Sequence, residues 1–272
     1  MEKEKQKKKR TTADIIRRVV FFIALAVFLF AAGNLIKIGL NYKHIKDVND
    51  EVIKSVTIPV TQSEDNNPTD AEENPLPFFF DYKRAKEING DTVGFLYIPS
   101  INLKLPVVQT DNDAYYLNHD FYKKDNLGGA IFEEYRIKNG LDASHVILYG
   151  HCIYDMFDRL DQYKKEEFYK ADGNDVFYVF TSNAIHRYKI YTSYQTDPAS
   201  AIYAFNFSST ETLRNWAKDR KAESFYDTGV DVSEGTQFVT LSTCLYEDTN
   251  YRIVVSGVYD GDVEINQIAS GT

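Results

Sequence analysis

The sequence is short of the residues that brace a small scaffold or build a metal cluster. Two cysteines, Cys152 and Cys244, in 272 residues exclude a disulfide-stapled framework and any four-thiolate zinc or iron–sulfur site. Seven prolines and fourteen glycines exclude collagen-like or low-complexity fibres. Basic residues are also in deficit: 31 Lys+Arg against 40 Asp+Glu leave a net charge of −9, which argues against a nucleic-acid binder. Aromatics, by contrast, are abundant. Twenty Tyr and eighteen Phe supply a substantial core and exclude wholesale disorder. The length allows one domain of about 150–200 residues with appendages, or two small domains.

The charge is unevenly placed. Residues 1–18 carry eight basic side chains against three acidic ones, so the rest of the chain is more acidic than the total suggests. Val19–Ile36 follows, eighteen residues without a charge, interrupted only by Gly33 and Asn34. At 1.5 Å per residue this run reaches roughly 27 Å, close to the hydrocarbon thickness of a bilayer. A core helix is usually amphipathic, whereas this stretch is apolar all round. A cleaved signal peptide is the closer rival, because Ala24-Leu25-Ala26 has the small-x-small pattern. That triplet lies inside the apolar run rather than at its end, which favours an uncleaved anchor over residues 19–40. Basic residues stay cytoplasmic, so the N-terminus is expected inside and the remainder outside.

Residues 41–77 read as a stalk. Lys43–Ser55 has the makings of a short helix, but Thr61–Pro77 is acidic, rich in Pro and Asn, and too polar to offset its ordering entropy. From Phe78 the pattern becomes globular, giving a folded domain over 78–262 and a tail over 263–272. Phe79–Ile88 has helical spacing. Short β-rich runs follow at Val93–Ile98, Leu105–Gln109, Ala130–Glu133, His145–Tyr149, Asp175–Thr181, Ile185–Tyr194, Thr236–Ser242 and Tyr251–Tyr259. Strands this short and numerous predict a mostly β domain, its largely antiparallel sheet closed into a barrel or sandwich. Helical insertions are predicted over Asp155–Phe168 and over Ser208–Lys221, the latter with a capping-box pattern at Ser208-x-x-Glu211.

Three residues at strand ends could carry chemistry. Cys244 ends the alternating run Phe238–Cys244, where a thiol is held by the sheet yet opens toward a loop, as a nucleophile requires. An inert buried cysteine is the plainer alternative. His151 follows His145–Gly150, placed to exchange a proton near neutral pH; a hydrogen-bonded structural histidine is its alternative. Arg252 opens the last strand, and the seven-residue connection from Cys244 is short enough to bring its guanidinium beside the thiol. A cation there favours thiolate and can stabilise an oxyanion. A surface salt bridge to Glu247 or Asp248 is the competing reading.

Taken together, Thr240-Leu241-Ser242-Thr243-Cys244 resembles the TLxTC signature of sortases, the cysteine transpeptidases of Gram-positive bacteria. Leu148-Tyr149-Gly150-His151 upstream and Arg252-Ile253-Val254-Val255 downstream fall in that family's order of His, Cys and Arg. The Asp91–Pro99 segment and the helix before the cysteine strand resemble class B. The resemblance implies a closed sortase-type β-barrel with short helices, an N-terminal helix and a helical insertion before the cysteine strand. It implies catalytic roles for His151, Cys244 and Arg252, and a substrate groove lined by Leu117, Ile202, Tyr203, Ser242 and Thr243. Leu117 and Ile202 could equally be ordinary core residues. No metal and no diffusible cofactor are expected. The implied partners are secreted proteins with a C-terminal sorting motif, and a peptidoglycan-precursor amine or pilin lysine as acceptor. A hydrolytic cysteine peptidase and a non-catalytic, membrane-tethered binding protein are the rival readings. Cys152, where relatives often carry Asn or His, is expected to point away from Cys244 as an idle thiol.

Overall fold

The computed structural model describes residues 12–60, 76–153, 155–245 and 248–263. Most of the basic N-terminal segment, the acidic stretch 61–75 and the tail from 264 lie outside the described residues. The chain divides into two compact units, residues 1–44 and 45–272. The first unit contains the N-terminal part of helix α1 (Thr12–Val56), whose apolar side chains are exposed from Ile15 to Leu40. Among the described residues this is the one helix long and apolar enough to cross a membrane.

Helix α1 does not give way to a stalk at residue 41. In the second unit Ile45, Val52 and Val56 recur at helical spacing and are buried, so this stretch packs onto the folded body instead of linking to it. The chain then enters β1 (Thr57–Pro59), which pairs with β2 (Phe78–Phe80). The helix expected from Phe79 starts later, as α2 (Tyr82–Ile88). The aromatic run Phe78–Phe80 is extended and paired, and the Asp81 carboxylate accepts from the Arg84 backbone N–H at 2.8 Å to cap the helix.

Eight strands form a closed barrel: β3 (Thr92–Ile98), β4 (Leu103–Val108), β5 (Ile131–Glu133), β6 (His145–Tyr149), β7 (Val176–Phe180), β8 (Ile185–Thr196), β9 (Phe238–Cys244) and β10 (Arg252–Asp262). Their order around the barrel is β10-β8-β7-β3-β4-β5-β6-β9. Most pairs are antiparallel as expected, but β4–β5 and β6–β9 are parallel. A main core cluster gathers Leu96, Val107, Ile147, Phe177, Val239, Leu241 and Val255. The insertion after β6 folds as a 3₁₀ turn (Asp158–Lys164) and one turn of helix, α3 (Glu166–Tyr169). The insertion before β9 is α4 (Thr210–Ala222). Its capping box uses Ser209 and Thr212, one residue along from the expected pair, and its Leu213, Trp216 and Ala217 pack on Tyr191, Phe238 and Val254.

Candidate active site

The period-2 alternation of β9 sets the site. Phe238, Thr240, Ser242 and Cys244 share one face, while Val239 and Leu241 face the main core cluster. Directly opposite, β10 places Val258, Ser256, Val254 and Arg252 in register with those four residues. Arg252 and Cys244 are therefore cross-strand partners, the relation that brings side chains within reach on one face. On the other side of β9, the parallel strand β6 sets Tyr149 level with Ser242, and the Gly150 N–H donates to the Ser242 carbonyl at 3.3 Å. Two residues beyond that pair come Cys244, which ends β9, and His151, just past the end of β6. Imidazole, thiol and guanidinium thus gather at one end of the barrel.

The imidazole and the guanidinium are held by backbone carbonyls. The His151 Nε2–H donates to the Leu117 carbonyl at 2.7 Å. A carbonyl can only accept, so this contact puts the proton on Nε2 and leaves Nδ1 as the nitrogen that can take one up. Arg252 donates from one guanidinium nitrogen to the carbonyls of Thr249 (2.7 Å) and Tyr251 (3.0 Å), which fixes the fork at the strand entry. Gly150 makes the corner possible: a Cβ there would meet Ile131 Cδ1 at 2.6 Å and Phe157 Cδ2 at 2.8 Å.

Cys244 is half-buried, and its thiol is lowered from 9.0 to about 6. The largest cause is a hydrogen bond from the Cys152 side chain; burial opposes it, and the charges of Arg252 and His151 add to it. The placement of Cys152 corrects the expectation that its thiol points away. Strand β6 ends at Tyr149 and the chain bends after Gly150, so strand alternation no longer governs residue 152. Both cysteines are free, and both wall a small cavity of about 30 Å³.

The five expected groove residues take different places. The Tyr203 hydroxyl and Ser242 Oγ are 2.9 Å apart on the cysteine's side of the sheet, and Tyr203 stacks on Tyr149. The Leu117 side chain is exposed, but its carbonyl is what holds His151. Thr243 is buried and borders the small cavity. Ile202 is fully buried in the cluster under α4 with Leu213 and Trp216, in a core position. Two residues that sequence reasoning did not single out also bear on the site. Tyr149 donates to Glu134 Oε2 at 3.1 Å, and Glu134 is paired with Arg136 at 2.6 Å, which extends the Ser242–Tyr203–Tyr149 row away from the thiol. The aromatic at 149, level with Ser242, was the available signal. Among the described residues no group of three or more His, Cys, Asp or Glu side chains could hold a metal ion.

Barrel, strand-end cysteine, histidine and arginine together define a cysteine acyl-transfer fold, and the comparisons agree. The sortase domain family matches residues 96–260, and the chain belongs to that family. Its relatives point to class B. Sortase B of Listeria monocytogenes is 27% identical over 242 residues, 86% of this chain and 93% of that protein. Sortase B of Staphylococcus aureus is 28% identical over 178 residues, 64% and 72% respectively. The structure of its substrate complex aligns with a TM-score of 0.59 at 28% identity, over 66% of this chain and 84% of that one. The crystal structure of Clostridium perfringens sortase B aligns with a TM-score of 0.60 at 27% identity, covering 66% of this chain and 99% of that one. The protein is a class B-like sortase, and membership of the family makes it a cysteine transpeptidase.

Proposed function

We propose that this sortase is anchored in the cell membrane by residues 19–40, with its barrel on the outer face. There it cleaves a C-terminal sorting motif of secreted proteins and transfers the acyl group to a cell-wall peptidoglycan amine. Cys244 is the nucleophile, His151 the proton-transfer group and Arg252 the oxyanion and substrate-backbone clamp. The observation that carries the reading is the shared rung of β9 and β10: Cys244 faces Arg252, whose charge helps lower the thiol and favours its thiolate.

The chemistry balances without an external cofactor. The Cys244 thiolate adds to the carbonyl carbon of the scissile Thr–Gly or Thr–Asn bond, and the negative charge moves to oxygen, where the Arg252 N–H groups can receive it. His151, made imidazolium by taking the Cys244 proton on Nδ1, gives that proton to the departing amine as the C–N bond breaks, leaving a thioester and a neutral imidazole. An incoming amine then loses a proton to His151, adds to the thioester and expels the thiolate. Splitting the exchange this way conserves the acyl bond for ligation. Anchoring is supported by the exposed apolar part of α1 and the basic cluster before it; the orientation follows from those basic residues.

The test is to incubate the full chain in detergent with peptides carrying a Thr–Gly or a Thr–Asn bond, with and without triglycine. Acceptor-dependent ligation that disappears in Cys244→Ala supports transpeptidation. Cleavage with water alone as the acceptor supports a hydrolytic peptidase instead. No reaction with any peptide favours the binding-protein reading.

A further inference from the structure

The proposed chemistry gives Cys152 no role, yet it lines the same small cavity as the nucleophile. The observations that bring the two sulfurs together are independent of any titration. The parallel β6–β9 ladder brings residues 151 and 152 alongside the end of β9. After Gly150 the chain leaves the strand and is folded back by the Phe157 N–H bonding to the His151 carbonyl at 2.8 Å. Both cysteines wall the same small cavity, together with Phe157, Leu245, Ile253, Thr243, Asp158 and Asp161, and both are free thiols. Two thiols lining one cramped space are placed to hydrogen-bond to each other, with the Asp158 and Asp161 carboxylates on the same wall.

We propose that Cys152 is a positioning residue for the nucleophile: its S–H donates to the Cys244 sulfur and holds the thiolate at the strand end. This rests on Cys244 being the attacking group. Ionisation of the pair removes one proton, from Cys244, and Cys152 keeps its own. The hydrogen bond to Cys244 and burial both push the Cys152 thiol up, so the two sulfurs divide the roles of donor and acceptor. When the carbonyl is attacked, the C–S bond forms and the charge leaves the sulfur, so the contact is strongest in the free enzyme and weakens in the thioester. The charged and titratable groups around the pair are His151 beyond β6, Arg252 on β10, Asp158 and Asp161 on the 3₁₀ turn, and Tyr203 beside Ser242. Arg252 and His151 favour the thiolate, while Asp158 bears on Cys152 and favours its protonated form.

The experiment follows alkylation of Cys244 by iodoacetamide against pH, with peptide mapping, in the full-length protein and in Cys152→Ala and Cys152→Ser. Removing the donor moves the midpoint up by about two pH units, toward an ordinary thiol, and slows alkylation at pH 7 about tenfold. The serine hydroxyl restores part of the shift. A midpoint unmoved or lowered in the alanine variant overturns the proposal, as does a serine variant no different from alanine. Trp216 fluorescence establishes that each variant is folded. If the alanine variant is not folded, serine against wild type decides: a midpoint in the ordinary thiol range overturns the proposal. Phenylarsine oxide, whose arsenic must reach two sulfurs at once, binds the native wild-type protein one to one; failure to bind shows that the thiols do not meet. Alkylation needs no peptide turnover, so failure of the transpeptidase reading and failure of this one give different results.

Discussion

Strand β6 has a histidine near each end, and the two live in opposite chemical worlds. His145 is fully buried: Nδ1–H donates to the Ala204 carbonyl at 2.6 Å, Nε2 pairs with the Thr240 hydroxyl at 2.8 Å, and the ring lies 4.4 Å from the Trp216 ring. Desolvation lowers it from 6.5 to about 4, so it is a neutral structural group at any ordinary pH. His151, six residues on, is half-exposed and has one backbone contact. The same contrast runs along β9, where Thr240 bonds to His145 and Ser256 while Cys244 faces Arg252 and Cys152. One end of the β6–β9 pair is sealed by α4 and closed polar pairs. The other keeps its polar groups at an open rim, and that difference in cover, more than residue type, separates structure from chemistry.

The largest effect that would break this comparison is on turnover. His151→Ala is expected to lower kcat/KM for peptide ligation by about 10²–10⁴-fold, whereas His145→Gln leaves it nearly unchanged per folded molecule and lowers Tm. Equal losses from both would mean that burial does not separate the roles. Next, Arg252→Lys keeps the charge but loses the planar fork, with an expected loss of about 10²–10³-fold, mostly in kcat.

Stability sharpens the contrast through pH. Glu133 is buried, both its carboxylate oxygens lack a partner among the described residues, and burial, with Asp142 nearby, raises it from 4.5 to about 8. Its folded value lies above the unfolded one, so stability is full below about pH 4.5 and is lost as pH rises toward 8. Glu133→Gln should remove that alkaline loss, which amounts to a few kcal/mol, read as the urea midpoint at pH 5 against pH 9. His145 has the opposite dependence. Its folded value is depressed, so stability is lost as pH falls from 6.5 to 4, by up to roughly 3 kcal/mol, and His145→Gln flattens that acid limb. Smallest is the cap of α4, where Ser209→Ala should cost about 1 kcal/mol in thermal unfolding without altering turnover.

The strands could be read from the chain because alternation and turn residues are local signals, which also put His151, Cys244 and Arg252 at strand ends; their proposed roles come from the resemblance. The eight predicted strand runs match β3–β10 to within a few residues at their ends. The parallel pairs could not be read that way, since which strands meet is decided by closure of the barrel. Within the expected stalk the sequence marks Lys43–Ser55 as a short helix, with no local signal that it continues α1 and packs on the folded body. The apolar residues Ile45, Val52 and Val56 are too sparse to signal burial until the body they pack on is present. The direction of Cys152 was misjudged for a related reason: strand alternation was carried past Gly150, where the strand had ended. Ile202 could not be told from a groove residue, because an apolar side chain before a helix suits either place.

The central claim is that the sulfur of Cys244, on the same rung as Arg252 and at the barrel end where His151 lies, takes the acyl group. Incubating the full chain with the Thr–Gly and Thr–Asn peptides without acceptor, quenching in acid and mapping the peptides tests it directly. The account predicts an acyl mass increase on the peptide containing Cys244, absent in Cys244→Ala and retained in Cys152→Ala. An acyl group found on Cys152, or retained in Cys244→Ala, would contradict it.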